Sequence, residues 1–399
     1  MSKGKKSVGW ITLVGGGSGG HVVPIKNIAE HIFAQDPSSR VLIITDKGYL
    51  GRTEQIFSEL LKAHSSNIVI KAVSGGRFRR YSRSKWREII DVKTQILNIR
   101  DLFKSVFGVL QSKLILLKFK PSVIFCKGGT GALEFCFAAR HKAPIIVHDS
   151  DSRPGLANKT VARWAKKLLT GMPKSSSGLD DPNMVGIPID SNFKPVSEKE
   201  SHKIRESLGI DQKSKTVFVT GGSLGAKRIN ELIFCTIADL NSLGVQVLHQ
   251  TGSDEATNRA KGIRKSLKNP KLYKPFDFSS EMSKLYGASD VVVSRAGASA
   301  IQELANSAKP SILIPAALTD QKKNARIIDE MGAALVADQT ELLARPEQFI
   351  SELQFLLGDD NLRRSLSDNI SKLARPESRE RIVGEIMKLK SEPVGRGKD

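Results

Sequence analysis

Short apolar runs rich in β-branched residues alternate with longer amphipathic segments along most of the chain. The first half carries six runs that we predict to be strands: 11–14, 41–45, 67–73, 122–126, 144–148 and 167–171. The second half carries six more: 216–222, 245–252, 271–276, 290–297, 310–315 and 333–337. Helical patterns between them include 24–35, 88–118 and 132–141. Apolar runs without polar alternation, separated by helices, indicate parallel sheets covered on both faces.

A segment rich in Pro, Ser, Gly and Asp, residues 172–200, separates the two series of strands. A chain of 399 residues is also too long for one ordinary core. We therefore predict an α/β protein with a Rossmann-like domain over 1–175, a linker over 176–205 and a second Rossmann-like domain over 206–375. Their parallel sheets are expected to face an interdomain cleft. Residues 376–399 are predicted to form a helix and tail that return to the first domain.

Glycine-rich turns follow four of the predicted strands, at 15–20, 127–132, 221–225 and 294–299. Glycine lets another molecule approach the backbone closely, and the first amides of the following helix bind anions. Because ligands of open α/β folds bind beyond the carboxyl ends of strands, four such turns predict a phosphate-containing ligand. The first turn together with Asp46 also fits a dinucleotide fingerprint, so an NAD-dependent oxidoreductase is an alternative.

The formal net charge of +21, from 62 Lys and Arg against 41 Asp and Glu, favours a polyanionic partner. Residues 74–93 interleave cations with Phe78, Tyr81 and Trp86, and residues 102–120 are apolar with lysines at intervals. We interpret 74–120 as a surface that attaches to anionic lipid. The competing hypotheses are a solvated loop followed by a buried core helix, and RNA binding by a non-catalytic basic protein.

The chain has no signals for export or for crossing a membrane. The apolar run after the lysines near the N-terminus is too short for a signal peptide, and no apolar stretch reaches about 18 residues. We therefore expect a cytoplasmic protein. Cys126, Cys136 and Cys235 have no metal-ligand spacing and are predicted to be packed thiols in a reducing compartment.

Several motifs, in the same order along the chain, resemble those of the MurG-type glycosyltransferases. They are GGGSGGHVVP (15–24), HDSDSRPGLANK (148–159), VTGGSLGAKRIN (219–230), SRAGASAIQELANSAKPSILIP (294–315) and DQKKNA (320–325). The resemblance implies GT-B architecture and peptidoglycan synthesis at the cytoplasmic face of the cell membrane, by a peripheral enzyme. The implied reaction is inverting transfer of GlcNAc from UDP-GlcNAc to the MurNAc 4-hydroxyl of undecaprenyl-pyrophosphoryl-MurNAc-pentapeptide. No metal, cofactor or nucleic acid is expected. A related enzyme acting on another lipid, such as diacylglycerol, is the alternative.

The resemblance also implies roles for individual residues on the donor side. Glu303 matches the family's ribose-binding carboxylate. The other donor contacts that it implies are Ser223 and Ser299 at the diphosphate, Gln321 and Asn324 near the GlcNAc hydroxyls, and Phe276 near the uracil.

On the acceptor side, His21 is the candidate general base, and its alternative roles are direct substrate contact and a structural role as a packed histidine. The residues expected to line the acceptor and diphosphate loops are Gly15, Gly16, Ser18, Gly19, Gly20, Gly129 and Asp151. Three positions depart from the family pattern: Asp151 replaces an amide, and Ile187 and Asp190 replace Asn and Arg.

Overall fold

The computed structural model describes residues 9–17, 19–76, 92–222, 224–317 and 319–392, with the side chains of the third range described from residue 96 onward. Two of the predicted site residues, Ser18 and Ser223, lie outside these ranges.

Contacts between residues divide the chain into two compact units. The first unit contains the described residues up to Ser150, then Pro154–Gly171 and the described residues from Glu377 onward. The second unit contains Asp151–Arg153 and Met172–Pro376. A six-stranded parallel sheet lies in each unit, which confirms the predicted α/β class.

The first unit is built on a sheet with the order β3-β2-β1-β4-β5-β6. Its strands are β1 (Trp10–Gly15), β2 (Val41–Asp46), β3 (Ile68–Val73), β4 (Pro121–Gly128), β5 (Ile145–Asp149) and β6 (Lys167–Thr170). Its helices in the described residues are α1 (Gly19–Gln35), α2 (Leu50–Ile56), α3 (Ser58–Ala63), α4 (Val92–Lys118), α5 (Ala132–Ala139), α6 (Leu156–Val161) and α16 (Ser378–Ser391).

The second unit repeats this topology with the order β12-β11-β10-β7-β8-β9. Its strands are β7 (Thr216–Thr220), β8 (Gln246–Gln250), β9 (Tyr273–Phe276), β10 (Val291–Ser294), β11 (Ser311–Leu313) and β12 (Leu335–Val336). Its described helices are α7 (Glu198–Ser207), α8 (Lys227–Ser242), α9 (Asp254–Lys265), α10 (Met282–Ala288), α11 (Ala298–Asn306), α12 (Gln321–Glu330), α13 (Gln339–Ala344), α14 (Pro346–Gly358) and α15 (Asp360–Ser371).

Interior strands of both sheets are buried on both faces. Every residue of β1, β2, β7 and β8 is buried, polar residues of β8 included, because helices cover both sides of each sheet. The C-terminal helix α16 packs on α1 in the first unit. The ion pair Lys167–Glu385 at 2.6 Å supports this attachment, and His31 Nδ1 lies 3.6 Å from Glu380 Oε1.

Two details differ from the sequence predictions. Helix α1 begins at Gly19, whereas the pattern predicted a start near Pro24. Proline lacks an amide proton, so it resembles a helix start, but here it lies just beyond the first turn, where only the bond to the Gly20 carbonyl is lost. Cys235 is exposed, because it lies on the outer face of α8, so its prediction as a packed thiol is wrong.

Candidate active site

The four glycine-rich turns follow the two central strands of each sheet. In the first unit the strand order reverses between β1 and β4, and in the second unit it reverses between β7 and β10. Such reversal points open a crevice at the carboxyl ends of the strands, where open α/β folds bind ligands. The turns leaving these four strands lead into α1, α5, α8 and α11. Each unit therefore has one candidate ligand site at its own reversal point.

In the first unit the two glycine turns pack directly on each other. The Gly16 amide donates to the Gly128 carbonyl at 3.2 Å. A Cβ at Gly129 would lie 2.0 Å from the Gly16 carbonyl oxygen, and Gly129 has a φ of 91°. A Cβ at Gly16 would lie 2.6 Å from the Thr130 carbonyl oxygen. Gly16 and Gly129 are therefore required by the packing of the turns, whatever ligand they bind.

His21 lies in the first turn of α1, directly after Gly19 and Gly20. Burial and, secondly, the positive charge of Lys127 lower the pKa of His21 from 6.5 to about 4, while a hydrogen bond with the backbone of Gly16 opposes the shift. The imidazole is therefore neutral at pH 7 and chemically able to accept a proton. A pKa this low also makes it a weak base.

Lys127, which is not among the predicted site residues, is a buried cation at the end of β4. It is 1% exposed, and its ammonium donates to His148 Nδ1 at 2.6 Å and to the hydroxyl of Ser150. Because an ammonium only donates, His148 accepts through Nδ1. The available signal was a lysine that follows the apolar run SVIFC and precedes two glycines.

Asp149 organises the loop that follows β5. Its Oδ2 accepts hydrogen bonds from Asn158 Nδ2 at 3.0 Å and from the Gly155 amide at 3.1 Å. Asn158 also donates to the His148 carbonyl at 3.2 Å. The conformation of the HDSDSRPGLAN segment is therefore held by buried polar contacts within it.

In the second unit the turn after β7 combines tight packing with an open position. A Cβ at Gly225 would lie 2.0 Å from the Thr251 carbonyl oxygen, so that residue must be glycine. Gly222 has a φ of 87°, and a Cβ there would meet nothing within 4 Å. Gly222 is thus the position of this turn that leaves room beside the backbone. Ser223, the predicted diphosphate contact, follows it outside the described residues.

Helix α11 presents its N-terminus at the end of β10. Gly297 precedes the helix, and the first helical hydrogen bond runs from the Ile301 amide to the Gly297 carbonyl at 2.9 Å. The amides of the first turn, which contains Ser299, have no partner within the helix. Such an N-terminus attracts anions through its amides and its dipole.

Glu303 lies one turn further along α11 and is bonded to a buried tyrosine. Tyr286 Oη donates to Glu303 Oε2 at 3.0 Å. Burial raises the pKa of Glu303 to about 7, and the hydrogen bond from Tyr286 opposes this rise. The carboxyl group is therefore close to half ionised at neutral pH.

Asn324 is fully buried in α12, and its amide is engaged by protein groups. Its Nδ2 donates to Asp151 Oδ1 at 2.9 Å and to the Ala296 carbonyl at 3.2 Å. Its Oδ1 accepts from the amide and hydroxyl of Ser152, at 3.1 and 2.9 Å. Asn324 and Asp151, predicted as separate contacts of donor and acceptor, are hydrogen-bonded partners. The predicted contact of Asn324 with a sugar would require one of these bonds to be exchanged.

Two other predicted donor contacts lie at the edges of this region. Gln321 begins α12, and its Oε1 accepts from the Ala316 amide at 3.0 Å. Its Nε2 lies 4.0 Å from where a Cβ of Gly297 would be. Phe276 ends β9 and is partly buried against the core of the second unit. Because Gly297 directly precedes α11 and Ser299 is in its first turn, Gln321 lies beside the same N-terminal end of α11 as Ser299.

Helix α4 exposes an apolar face that runs along most of its length. Large apolar side chains more than half exposed recur at helical spacing, at Ile96, Ile99, Leu102, Phe103, Val106, Phe107, Leu110, Leu114 and Leu117. Exposed cations of the same helix include Arg100, Lys104 and Lys113. A patch this long marks an interaction surface. Residues 77–91 of the predicted lipid-binding segment lie outside the described residues.

In the described part of the chain, no helix has both the length and the apolar character that crossing a membrane requires. No cluster of three or more His, Cys, Asp or Glu side chains there is arranged to hold a metal ion.

Comparison with known structures defines the class of fold. The crystal structure of Acinetobacter baumannii MurG has a TM-score of 0.69 at 21% identity, covering 95% of this chain and 99% of that one. The calicheamicin glycosyltransferase CalG4 has a TM-score of 0.65 at 12% identity, covering 95% and 97%. The two parallel sheets and these neighbours define the GT-B fold of glycosyltransferases.

Sequence comparison identifies the family. Residues 11–170 match the glycosyltransferase family 28 N-terminal domain, and residues 216–380 match its C-terminal domain. A Christiangramia forsetii protein named UDP-N-acetylglucosamine--N-acetylmuramyl-(pentapeptide) pyrophosphoryl-undecaprenol N-acetylglucosamine transferase is 30% identical over 395 residues, 95% of this chain and 97% of the relative. A Treponema denticola protein of the same name is 32% identical over 368 residues, 88% and 89%. The chain belongs to glycosyltransferase family 28.

Proposed function

We propose that this chain is an N-acetylglucosaminyltransferase of peptidoglycan synthesis. It transfers GlcNAc from UDP-GlcNAc to the MurNAc 4-hydroxyl of undecaprenyl-pyrophosphoryl-MurNAc-pentapeptide. The observation that carries the proposal is the 30% identity to a relative with that printed activity, which extends over 95% of the chain and so includes both units. The paired glycine turns at both strand reversal points support it, because a UDP-sugar and a lipid diphosphate each need an anion site.

The donor site is proposed to lie at the reversal point between β7 and β10. The N-terminal amides of α11 around Ser299 stabilise the charge that develops on UDP as it leaves. Glu303, one turn along the same helix, accepts hydrogen bonds from the ribose hydroxyls. The remaining donor contacts in this proposal are Ser223, Phe276, Gln321 and Asn324.

The acceptor site is proposed to lie at the reversal point between β1 and β4. Amides of Gly19 and Gly20 at the start of α1 bind the acceptor diphosphate, and His21 acts as the general base. The 4-hydroxyl oxygen attacks the anomeric carbon as the bond from that carbon to the UDP oxygen breaks. The hydroxyl proton passes to His21, and the configuration at the anomeric carbon is inverted.

A transfer assay tests this reaction directly. Purified protein would be incubated with radiolabelled UDP-GlcNAc and a short-prenyl form of the acceptor in detergent, with excess EDTA in a parallel reaction. We expect a labelled lipid product with and without EDTA, and its loss in Glu303→Ala and His21→Ala. Transfer only to diacylglycerol would support the alternative lipid acceptor. Binding of NAD in preference to UDP-GlcNAc would contradict both glycosyltransferase hypotheses.

The exposed face of α4 is proposed to attach the enzyme to the cytoplasmic surface of the membrane, where a polyprenyl acceptor is held. A helix of 27 residues is about 40 Å long, so it can lie in the lipid interface over its whole length. Its apolar side chains would enter the acyl boundary, while the flanking cations contact anionic headgroups. The net charge of +21 acts in the same direction.

Vesicle binding tests the membrane proposal. The variant Phe103→Glu with Leu114→Glu should bind phosphatidylglycerol vesicles at least about tenfold more weakly, because two apolar side chains no longer enter the lipid. Phe355→Glu with Leu243→Glu is the matched control, since these side chains are 63% and 49% exposed but lie in the second unit, outside α4. Transfer to the short-prenyl acceptor in detergent should be unchanged in both. Equal vesicle binding by the wild type and the α4 double variant would overturn this proposal.

A further inference from the structure

Tyr286 is held rigidly beneath the donor helix α11. Its side chain is fully buried, and its ring packs edge-on against Phe193 and Phe218, with centroid distances of 5.2 and 5.6 Å. A buried tyrosine hydroxyl needs a hydrogen-bond partner, and here it donates to Glu303 Oε2 at 3.0 Å. The hydroxyl is therefore fixed in position by the core and directed at a single carboxyl oxygen.

This bond occupies only part of the acceptor capacity of Glu303. A carboxylate has two oxygens with about four lone-pair directions. Among the described residues, Tyr286 provides the side-chain donor to Glu303, and it takes one direction on Oε2. Because this bond fixes the carboxylate, Oε1 and the second lone pair of Oε2 have a defined orientation. They can accept hydrogen bonds from two neighbouring hydroxyls of one ligand.

We propose that Tyr286 is a positioning residue of the donor site, which orients the Glu303 carboxylate to accept both hydroxyls of the donor's ribose. This inference rests on the proposed function, because it takes the ligand of Glu303 to be a uridine nucleotide. Tyr286 itself does not contact the nucleotide. By holding the Glu303 carboxylate in one orientation and favouring its ionised form, Tyr286 makes the site selective for a ligand with two adjacent hydroxyl groups.

The charge state of Glu303 gives the inference a readout that simple packing would not produce. Burial raises the pKa of Glu303 to about 7, and the donated hydrogen bond from Tyr286, the titratable group facing it from α10, acts against that rise. Removing the hydroxyl therefore raises the pKa further and protonates Glu303 at neutral pH. A protonated carboxyl has lost acceptor capacity, so recognition of the diol should recover only at higher pH.

The test compares Tyr286→Phe with the wild type in titrations with UDP and 2′,3′-dideoxy-UDP between about pH 6 and pH 9. The variant keeps the buried ring. We expect UDP affinity to fall about tenfold at pH 7, because a protonated Glu303 no longer offers the ribose a hydrogen bond to a charged group. The preference for UDP over the dideoxy analogue should shrink at pH 7 and return toward pH 9. Glu303→Gln should lack that preference at every pH.

Tyr273→Phe is the matched control, because Tyr273 is also buried and bonded, to His249 Nδ1 at 2.9 Å. Tyr273→Phe should lower the melting temperature about as much as Tyr286→Phe does, without changing the preference for UDP over the dideoxy analogue. An equal loss of affinity for both nucleotides at every pH in Tyr286→Phe would overturn the inference while leaving the donor site intact. The same conclusion would follow if the pH midpoint of the preference for UDP were unchanged in Tyr286→Phe. A wild-type protein that binds no uridine nucleotide would overturn the donor site and this inference together.

Discussion

Replacing Lys127 with methionine is expected to raise the pKa of His21. The positive charge of Lys127 disfavours the protonated imidazole and is the second cause of its lowered pKa, after burial. Methionine keeps an unbranched side chain of similar length and removes the charge. Because the ring remains buried, the pKa should stay below the ordinary 6.5.

The size of the effect follows from the titration of one group. With a pKa of about 4, roughly nine in ten His21 rings are neutral at pH 5. A rise of about one unit would leave roughly half of them neutral. If His21 is the base, the acid limb of the rate profile should then move up by about one pH unit. Near pH 8 the ring is neutral in both proteins, so any change in the transfer rate there reflects the greater basicity of the imidazole in the variant.

Histidine NMR measures this pKa directly. The protein would carry ¹³C at the Cε1 of its histidines, with the His21 signal assigned by its loss in His21→Gln. Lys142→Met is the control, because Lys142 is exposed and should leave the His21 titration unchanged. A His21 midpoint in Lys127→Met that is equal to or below the wild-type value would refute the electrostatic reasoning. A moved midpoint with an unmoved rate profile would instead exclude His21 as the base.

Two further predictions test the packing of the site. Gly129→Ala should destabilise the protein by about 1–3 kcal/mol in thermal unfolding, because its φ is 91° and its Cβ would lie 2.0 Å from the Gly16 carbonyl oxygen. Gly51→Ala, where a Cβ meets nothing within 4 Å, should be neutral or stabilising, and equal effects would contradict this account. Asn324→Asp puts a second carboxyl group beside Asp151, so the variant should be destabilised near pH 7 and recover as pH falls and one group takes a proton. A loss of stability that does not change with pH would contradict repulsion between Asp151 and the new carboxyl group.

The sheets and the turns could be predicted because their signals are local. A strand covered on both faces needs apolar side chains on both, so runs such as SVIFC at 122–126 identify it without alternation. Glycines directly after such a run identify the strand-to-helix turn. The order of the strands then brings two turns together in each unit. That order has no local signal, and only the structure shows it.

The polar contacts that define the site could not be predicted in the same way. Tyr286 and Glu303 are 17 residues apart on different helices, and periodicity gives each helix a buried face without pairing its side chains. Lys127 follows a predicted strand as an ordinary charged residue, and only the fold shows that it is buried beside His148. Long-range pairing of this kind depends on the packing of whole elements.

The two candidate sites share a physical arrangement in which burial opposes the charge on the main titratable group. His21 is held neutral, with a pKa of about 4, and Glu303 is held near half ionisation, with a pKa of about 7. An acceptor diphosphate on the first glycine turn would add negative charge beside His21 and raise its pKa, opposing Lys127. His21 would then become a stronger base only when the acceptor is bound. The buried cation thus extends the neutral state of the imidazole to lower pH, and the acceptor diphosphate restores the basicity of the ring when it binds.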